Sequence, residues 1–315
     1  MITVCDISEG LEKQISYWLF ETTNLSFAGY KRINAHRPIF EFYDSSGNSV
    51  VVKLYGADPV ASDEKERRLK KEYDALEYLW EAGLGAGRYR VVKPLGYSVE
   101  LGYALAEEKA PGLNLFEDIR RAIRNKQELS EQCTDMAWLL AKIHSVKAEA
   151  GKWWIPDWRR RVFAARTGSM ETEFMDVGKL WESEFPLPLP IVPLHGDPNP
   201  TNFARYGLTL TAFDLQMYHY GYPVEDLGEF AAELKFAFEQ YAGNSGEAEK
   251  YLSSFFKTYA ERASLSFEVL TAYNPFFMGL WELNMASNVW MGPKRSWLIR
   301  EASKCWRSGL QYLKR

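Results

Sequence analysis

His195-Gly196-Asp197-Pro198-Asn199-Pro200-Thr201-Asn202 places a carboxylate and a carboxamide five residues apart in a loop stiffened by two prolines. Two short apolar runs follow, Asn202 to Ala204 and Leu208 to Phe213, around the turn Arg205-Tyr206-Gly207, and Asp214 closes the second run. Hydrophobic alternation on either side of a Gly turn predicts a hairpin. Asp and Asn beside Pro most often bond their own loop. The loop therefore gains meaning only from the elements around it.

Upstream, Ser8 is a plausible N-cap for an amphipathic helix carrying Leu11, Ile15, Trp18 and Leu19. The period then shortens to two. Arg32 to Asn34, Ile39 to Tyr43 and Ser49 to Tyr55 read as strands, the last two joined by hairpin chemistry at Asp44-Ser45-Ser46-Gly47-Asn48. A charged helix is expected from Ser62 to Ala82, ended by Gly83 and Gly85, and two more strands at Tyr89 to Val92 and Tyr103 to Glu107. After Ala110-Pro111-Gly112 the spacing becomes helical, notably at Ala137 to His144 and Pro223 to Tyr241. These readings predict an α+β fold of two lobes. Residues 1–108 would hold a five-stranded antiparallel sheet with one helix, and residues 109–315 would be mainly helical and carry the polar hairpin.

A formal net charge of -4 argues against a nucleic-acid backbone as main partner, because neutralising phosphates takes a concentrated basic face. Cys5, Cys133 and Cys305 are too scattered for a disulfide framework or a zinc site. The N-terminus has no basic segment before an apolar run, and no stretch is apolar enough to span a bilayer, so a cytoplasmic protein without membrane partners is expected.

Lys53 lies within Val50-Val51-Val52-Lys53-Leu54-Tyr55, where a lysine on a buried strand needs anions to offset its desolvation. Glu72 on the next helix is the first candidate partner, and Glu66 the second. Phosphoryl transfer asks for a positioned hydroxyl, metal ions on the phosphates and a cation along the phosphate tail. Asp197 suits the first task, Asn202 and Asp214 offer oxygen ligands for the second, and Lys53 suits the third.

The order Lys53, Glu72, Leu105 to Gly112, His195-Gly196-Asp197 to Asn202, and Asp214 resembles the aminoglycoside phosphotransferase and choline kinase superfamily, small-molecule kinases with a protein-kinase-like fold. The resemblance runs over nearly the whole chain, and Asn five residues after the Asp of His-Gly-Asp is its most specific part. It implies ATP and Mg2+ as cofactors and a small-molecule acceptor. Asp197 would be the catalytic base, Asn202 and Asp214 the metal ligands, and Lys53 the phosphate cation paired with Glu72. Glu107, Glu108, Lys109 and Ala110 would form the hinge that meets adenine through main-chain groups. Asp226 would cap the loop beneath the site. A late helix would wall the acceptor pocket, with Glu282, Asn284 and Asn288 as candidate contacts. A nucleotide-binding scaffold without turnover is the alternative reading, and a protein kinase a third, disfavoured because Leu215-Gln216 follows Asp214 where Phe-Gly belongs.

The chain departs from the family at Ala35-His36-Arg37-Pro38, where a phosphate-covering loop should hold glycine; Arg32 or Arg37 would compensate with charge. Gln216 stands where many relatives carry an acid. His195 is expected to support its loop, and His144 to close its helix on backbone carbonyls. Trp153, Trp154 and Trp158 are expected to pack while Arg159, Arg160 and Arg161 stay solvated, and Trp281, Trp290 and Trp297 are likewise read as packing residues.

Overall fold

A computed structural model describes residues 7–34, 37–147 and 155–314. Trp153, Trp154, Cys5 and the loop residues Ala35 and His36 lie outside these ranges. The chain divides into two compact units: residues 1–112 with 204–218, and residues 113–203 with 219–315. The first division falls four residues beyond the expected 108/109 boundary, and the hairpin after Asn202 groups with the first unit.

In the first unit, helix α1 (Glu9–Thr23) precedes strands β1 (Gly29–Arg32), β2 (Ile39–Tyr43) and β3 (Ser49–Leu54). Helix α2 (Ser62–Leu79) leads to β4 (Tyr89–Val91), β5 (Pro94–Ser98) and β6 (Ala104–Glu108). The five-stranded sheet has the order β1-β2-β3-β6-β5 and is antiparallel throughout. Alternation along β3 sorts its side chains. Val50 and Val52 join Ile15, Leu19, Phe40 and Phe42 in one core on the α1 side. The other face carries Lys53 and, from β6, Glu107 and Leu105, the last of which meets Leu69 and Tyr55.

The sheet has the expected size but one member differs. Tyr89 to Val91 pairs in parallel with β10 (Thr209–Ala212), which follows β9 (Phe203–Tyr206), and does not enter the five-stranded sheet. Its place is taken by β5, a strand not read from sequence. Proline at its start and Gly96 at a register shift hide the strand pattern, and both features are tolerated because β5 is an edge. Gly112 is required where it stands: its φ is +94°, and a Cβ there would come within 2.0 Å of the Arg205 carbonyl oxygen.

The second unit is helical. After the short strand β7 (Leu113–Asn114) come α3 (Leu115–Arg124), α4 (Ser130–His144), α5 (Trp158–Ala165) and α6 (Glu171–Glu182). A small antiparallel pair, β8 (Val192–Leu194) and β11 (His219–Gly221), brackets the polar loop in space. Helices α7 (Pro223–Tyr241), α8 (Glu249–Ala263), α9 (Phe267–Ser287) and α10 (Arg295–Leu313) complete it. Trp158, Trp181, Trp306 and Phe276 form its aromatic centre. Trp158 packs as expected, whereas Trp290 is 76% exposed. Cys133 and Cys305 are buried free thiols. Among the described residues no helix is long and apolar enough to cross a membrane.

Candidate active site

The sheet of the first unit turns Lys53 towards α2. Its Nζ lies 2.6 Å from Glu72 Oε1 and 3.0 Å from Glu107 Oε1, and all three side chains are nearly inaccessible. Tyr55 donates its hydroxyl to the second oxygen of Glu72. Burial alone would depress the Lys53 pKa; Glu107, Glu72 and Asp214 overcome it and hold the ammonium well above its ordinary range. Glu66 is spent on Lys70 at 2.6 Å, so Glu72 is the partner, as first expected.

Glu107 has a role the hinge reading did not include. Its side chain faces inward to Lys53, and its Oε2 is buried without a hydrogen bond. Burial, then the charges of Glu72 and Asp214, push its pKa up to about 7 against the pull of Lys53. A carboxyl whose folded pKa exceeds its ordinary 4.5 contributes most below 4.5, and that contribution is lost as pH rises towards 7. Glu107→Gln is therefore expected to gain thermal stability relative to the parent as pH rises from about 5 to about 8. A melting temperature of the variant that falls relative to the parent over that range would contradict this. Glu108 instead pairs with Arg90 at 2.8 Å and Lys109 with Glu41 at 2.6 Å, while Ala110 is partly buried after the strand.

Asp214 ends the hairpin in the left-handed region, at φ 61° and ψ 60°. Its Oδ2 is 4.0 Å from Arg37 Nη1, and Arg37 also donates to Gln216 Oε1 at 3.3 Å. The turn Leu215–Met217 packs against α2, which brings Asp214 to the Lys53 side of the sheet.

In the second unit, α7 presents Asp226, Glu229 and Glu233 to the polar loop. The spacing of three and then four residues puts them on one helix face. Asp226 accepts from His195 N at 2.8 Å, from Gly196 N at 3.0 Å and from His144 Nε2 at 3.0 Å. Burial opposes its ionisation, but the bond and charge of His144, with the loop groups, keep its pKa below 3.8. His144 thus serves the loop and bonds Tyr259 at 2.7 Å through Nδ1, where backbone carbonyls were expected. Glu233 accepts from Asn199 Nδ2 at 2.8 Å and from Trp281 Nε1 at 2.9 Å.

The loop is thereby pinned at both ends with Asp197 between the pins. Gly196, at φ 83°, makes the turn just before it, and Asp197 itself is partly buried. Asn202 donates its amide to Asp197 O at 2.9 Å, which leaves Oδ1 as the oxygen available to a cation. His195 is fully buried with its ring 5.0 Å from Phe203, a supporting position. Burial and the adjacent Asp197 charge push Glu229 well above the ordinary carboxylate range, and burial lifts Glu233 to about 7.

The acceptor-wall candidates fall differently. Glu282 has no exposed surface, and burial, with the charge of Glu301, raises its pKa to about 8 against the pull of Lys235 and the bond of Cys305; it faces the interior of the unit. Asn284 is partly buried and Asn288 caps the end of α9. The residue of α9 that reaches the loop network is Trp281, through Glu233, with the Arg161 guanidinium 5.9 Å from its ring. Sequence suggests only packing for Trp281, because an indole on a helical stripe gives no sign of its N–H partner.

Among the described residues no cluster of three or more His, Cys, Asp or Glu side chains could hold a metal by itself. Asp214 in the first unit and Asn202 Oδ1 in the second each offer an oxygen of the hard character that Mg2+ prefers.

An antiparallel sheet bearing a buried lysine paired with a glutamate of helix α2, with a helical unit bearing a pinned aspartate loop, defines a kinase-like α+β protein. The sequence pattern of the phosphotransferase enzyme family matches residues 33–263, and the chain belongs to that family, within the aminoglycoside phosphotransferase and choline kinase superfamily of small-molecule kinases. Solved structures with this fold include the choline kinase LicA from Streptococcus pneumoniae, 17% identical over 95% of this chain and 100% of that one, with a TM-score of 0.60. The amicoumacin kinase hAmiN, in complex with AMP-PNP, Ca2+ and Ami, is 14% identical over 96% of each chain with a TM-score of 0.61. An ethanolamine kinase of Plasmodium vivax is 15% identical over 98% and 92%, with a TM-score of 0.55. No curated protein matches the sequence.

Proposed function

We propose that this phosphotransferase moves the γ-phosphoryl group of ATP to a hydroxyl of a small acceptor of the amino sugar, amino alcohol or polyol class. The observation that carries the reading is the buried Lys53–Glu72 pair at 2.6 Å, on the sheet face where Asp214 also lies. The first unit binds the nucleotide and the second supplies the base. Lys53, held extended by Glu72 and Glu107, takes the phosphate tail. Asp214 and Asn202 Oδ1 would hold Mg2+, which neutralises phosphate charge when bound. Asp197 orients the acceptor hydroxyl and accepts its proton as the oxygen attacks the γ-phosphorus, the bond to the β-phosphate oxygen breaks and ADP leaves.

Two groups near the loop support an acceptor that carries an amine. Glu233 offers an acid whose ionisation an ammonium would favour, and Trp281 offers a ring to the same cation. A coupled ATP-consumption screen over aminoglycosides, choline, ethanolamine, homoserine, sugars and nucleosides, with and without Mg2+, tests the reading. Turnover on at least one hydroxylated amine, dependent on Mg2+ and on Asp197, is the expected result. Mg2+-dependent ATP binding without turnover on any acceptor would favour a non-catalytic scaffold.

A further inference from the structure

The turn between β1 and β2 lacks glycine, so its main chain cannot come as close to a phosphate as a glycine loop can. Its side chains divide the work. Arg32 donates through Nε to Asn34 O at 2.8 Å and through Nη2 to Arg37 O at 3.3 Å. Asn34 Oδ1 accepts from Arg37 N at 2.9 Å. Arg32 and Asn34 thus tie the two sides of the turn together, and none of these bonds uses the Arg37 guanidinium.

That guanidinium lines a pocket of about 200 Å3 together with Lys53, Tyr55, Arg68, Asp214 and Gln216. The volume is that of several water-sized groups. The other cations of the pocket are fixed in place by carboxylates, Lys53 in the position from which it takes the phosphate tail. Lys53 has two carboxylates within 3.0 Å, and Arg68 is bonded to Glu64 at 2.7 Å and Asp58 at 3.3 Å. Arg37 is held more loosely, by the neutral amide of Gln216 and by Asp214 at 4.0 Å, with its side chain 54% exposed. An exposed pair at such a separation restrains little. A phosphate offers the planar fork a doubly anionic, bidentate partner.

We propose that Arg37 grips the terminal phosphates of the bound nucleotide, its side chain doing what glycine main chain does in a phosphate-covering loop. The proposal rests on the reading of the first unit as an ATP site. It also chooses between Arg32 and Arg37, which sequence left open: Arg32 is consumed by carbonyl oxygens of its own turn.

The test is titration calorimetry of ATP, ADP, AMP and adenosine against the parent, Arg37→Ala and Arg37→Lys, each with and without Mg2+. Arg37→Ala is expected to weaken ATP about 10- to 100-fold, the range for a lost charge-assisted contact, with a smaller loss for ADP and none for adenosine. Arg37→Lys, a point charge without the fork, should fall between. ATP affinity within about twofold of the parent overturns the proposal, as does an equal loss for adenosine and ATP, which would mark a distorted turn. If the parent itself binds ATP no more tightly than adenosine, the nucleotide reading fails and the proposal falls with it, a pattern separable from the other two without any variant.

Discussion

Asp197→Ala is expected to lower kcat by about 10²- to 10⁴-fold, the usual worth of a positioned general base, while ATP binds as tightly as to the parent. The separation follows from where the residue sits. Asp197 belongs to the helical unit, on a loop whose ends are fixed by Asp226 and Glu233, whereas Lys53, Glu72, Glu107 and Asp214 belong to the sheet unit. Removing the carboxylate leaves the bonds to His195 N, Gly196 N and Asn199 intact, so the loop keeps its path. Asp197→Asn preserves shape as well and should be nearly as inactive, since the amide cannot take a proton. Steady-state kinetics with an accepted substrate and calorimetry with ATP make the comparison. Undiminished turnover in either variant would remove Asp197 as the base.

The second large effect is on stability. Asp226→Ala leaves two main-chain N–H groups and the His144 ring without their shared acceptor inside the helical unit. Breaking a buried charged network from one side costs about 3–5 kcal/mol, a large share of the about 5–15 kcal/mol that holds a typical domain. A lower urea midpoint with an unchanged slope is the expected signature. The sign of the pH dependence follows from the depressed pKa. A carboxylate with a folded pKa below 3.8 contributes stability that is present above 3.8 and is lost as pH falls through the folded value. The gap between the parent and Asp226→Asn should therefore be full at neutral pH and close in acid. A gap that stays constant into acid would mean the carboxylate charge is not what holds the loop.

Glu107 shows why part of the site could not be read in advance. In sequence it is one of two adjacent glutamates before Lys109, and main-chain contacts to adenine demand nothing of its side chain. The register of β6 against β3, with Val51 opposite Glu107 and Lys53 opposite Leu105, turns it to the face that bears Lys53. The same kind of information separates β4 from β5. Both are short, and only the pairing of β4 with Thr209–Ala212 shows that it leaves the main sheet. Trp281 and Glu282 are adjacent on α9, yet one reaches the loop network and the other has no exposed surface. A helix turns about 100° per residue, so helical spacing alone does not say which neighbour faces the loop.

Legible along the chain are the set of elements and the chemical groups in their order: alternating strands before Gly112, helical periods after it, and Lys53, Glu72, Asp197, Asn202 and Asp214 in the order that the family resemblance rests on. Local periodicity and turn chemistry encode these because they depend on neighbours a few residues away. Which side chains share a surface emerges with the packed fold. It turned Glu107 onto Lys53, aligned Asp226, Glu229 and Glu233 under the His195 to Asn199 loop, and left Arg37 as the loosely held cation of its turn. The physical reason is that strand register and helix rotation are set by burial of whole faces across long stretches of chain, and a shift of one residue exchanges the face a charge is on.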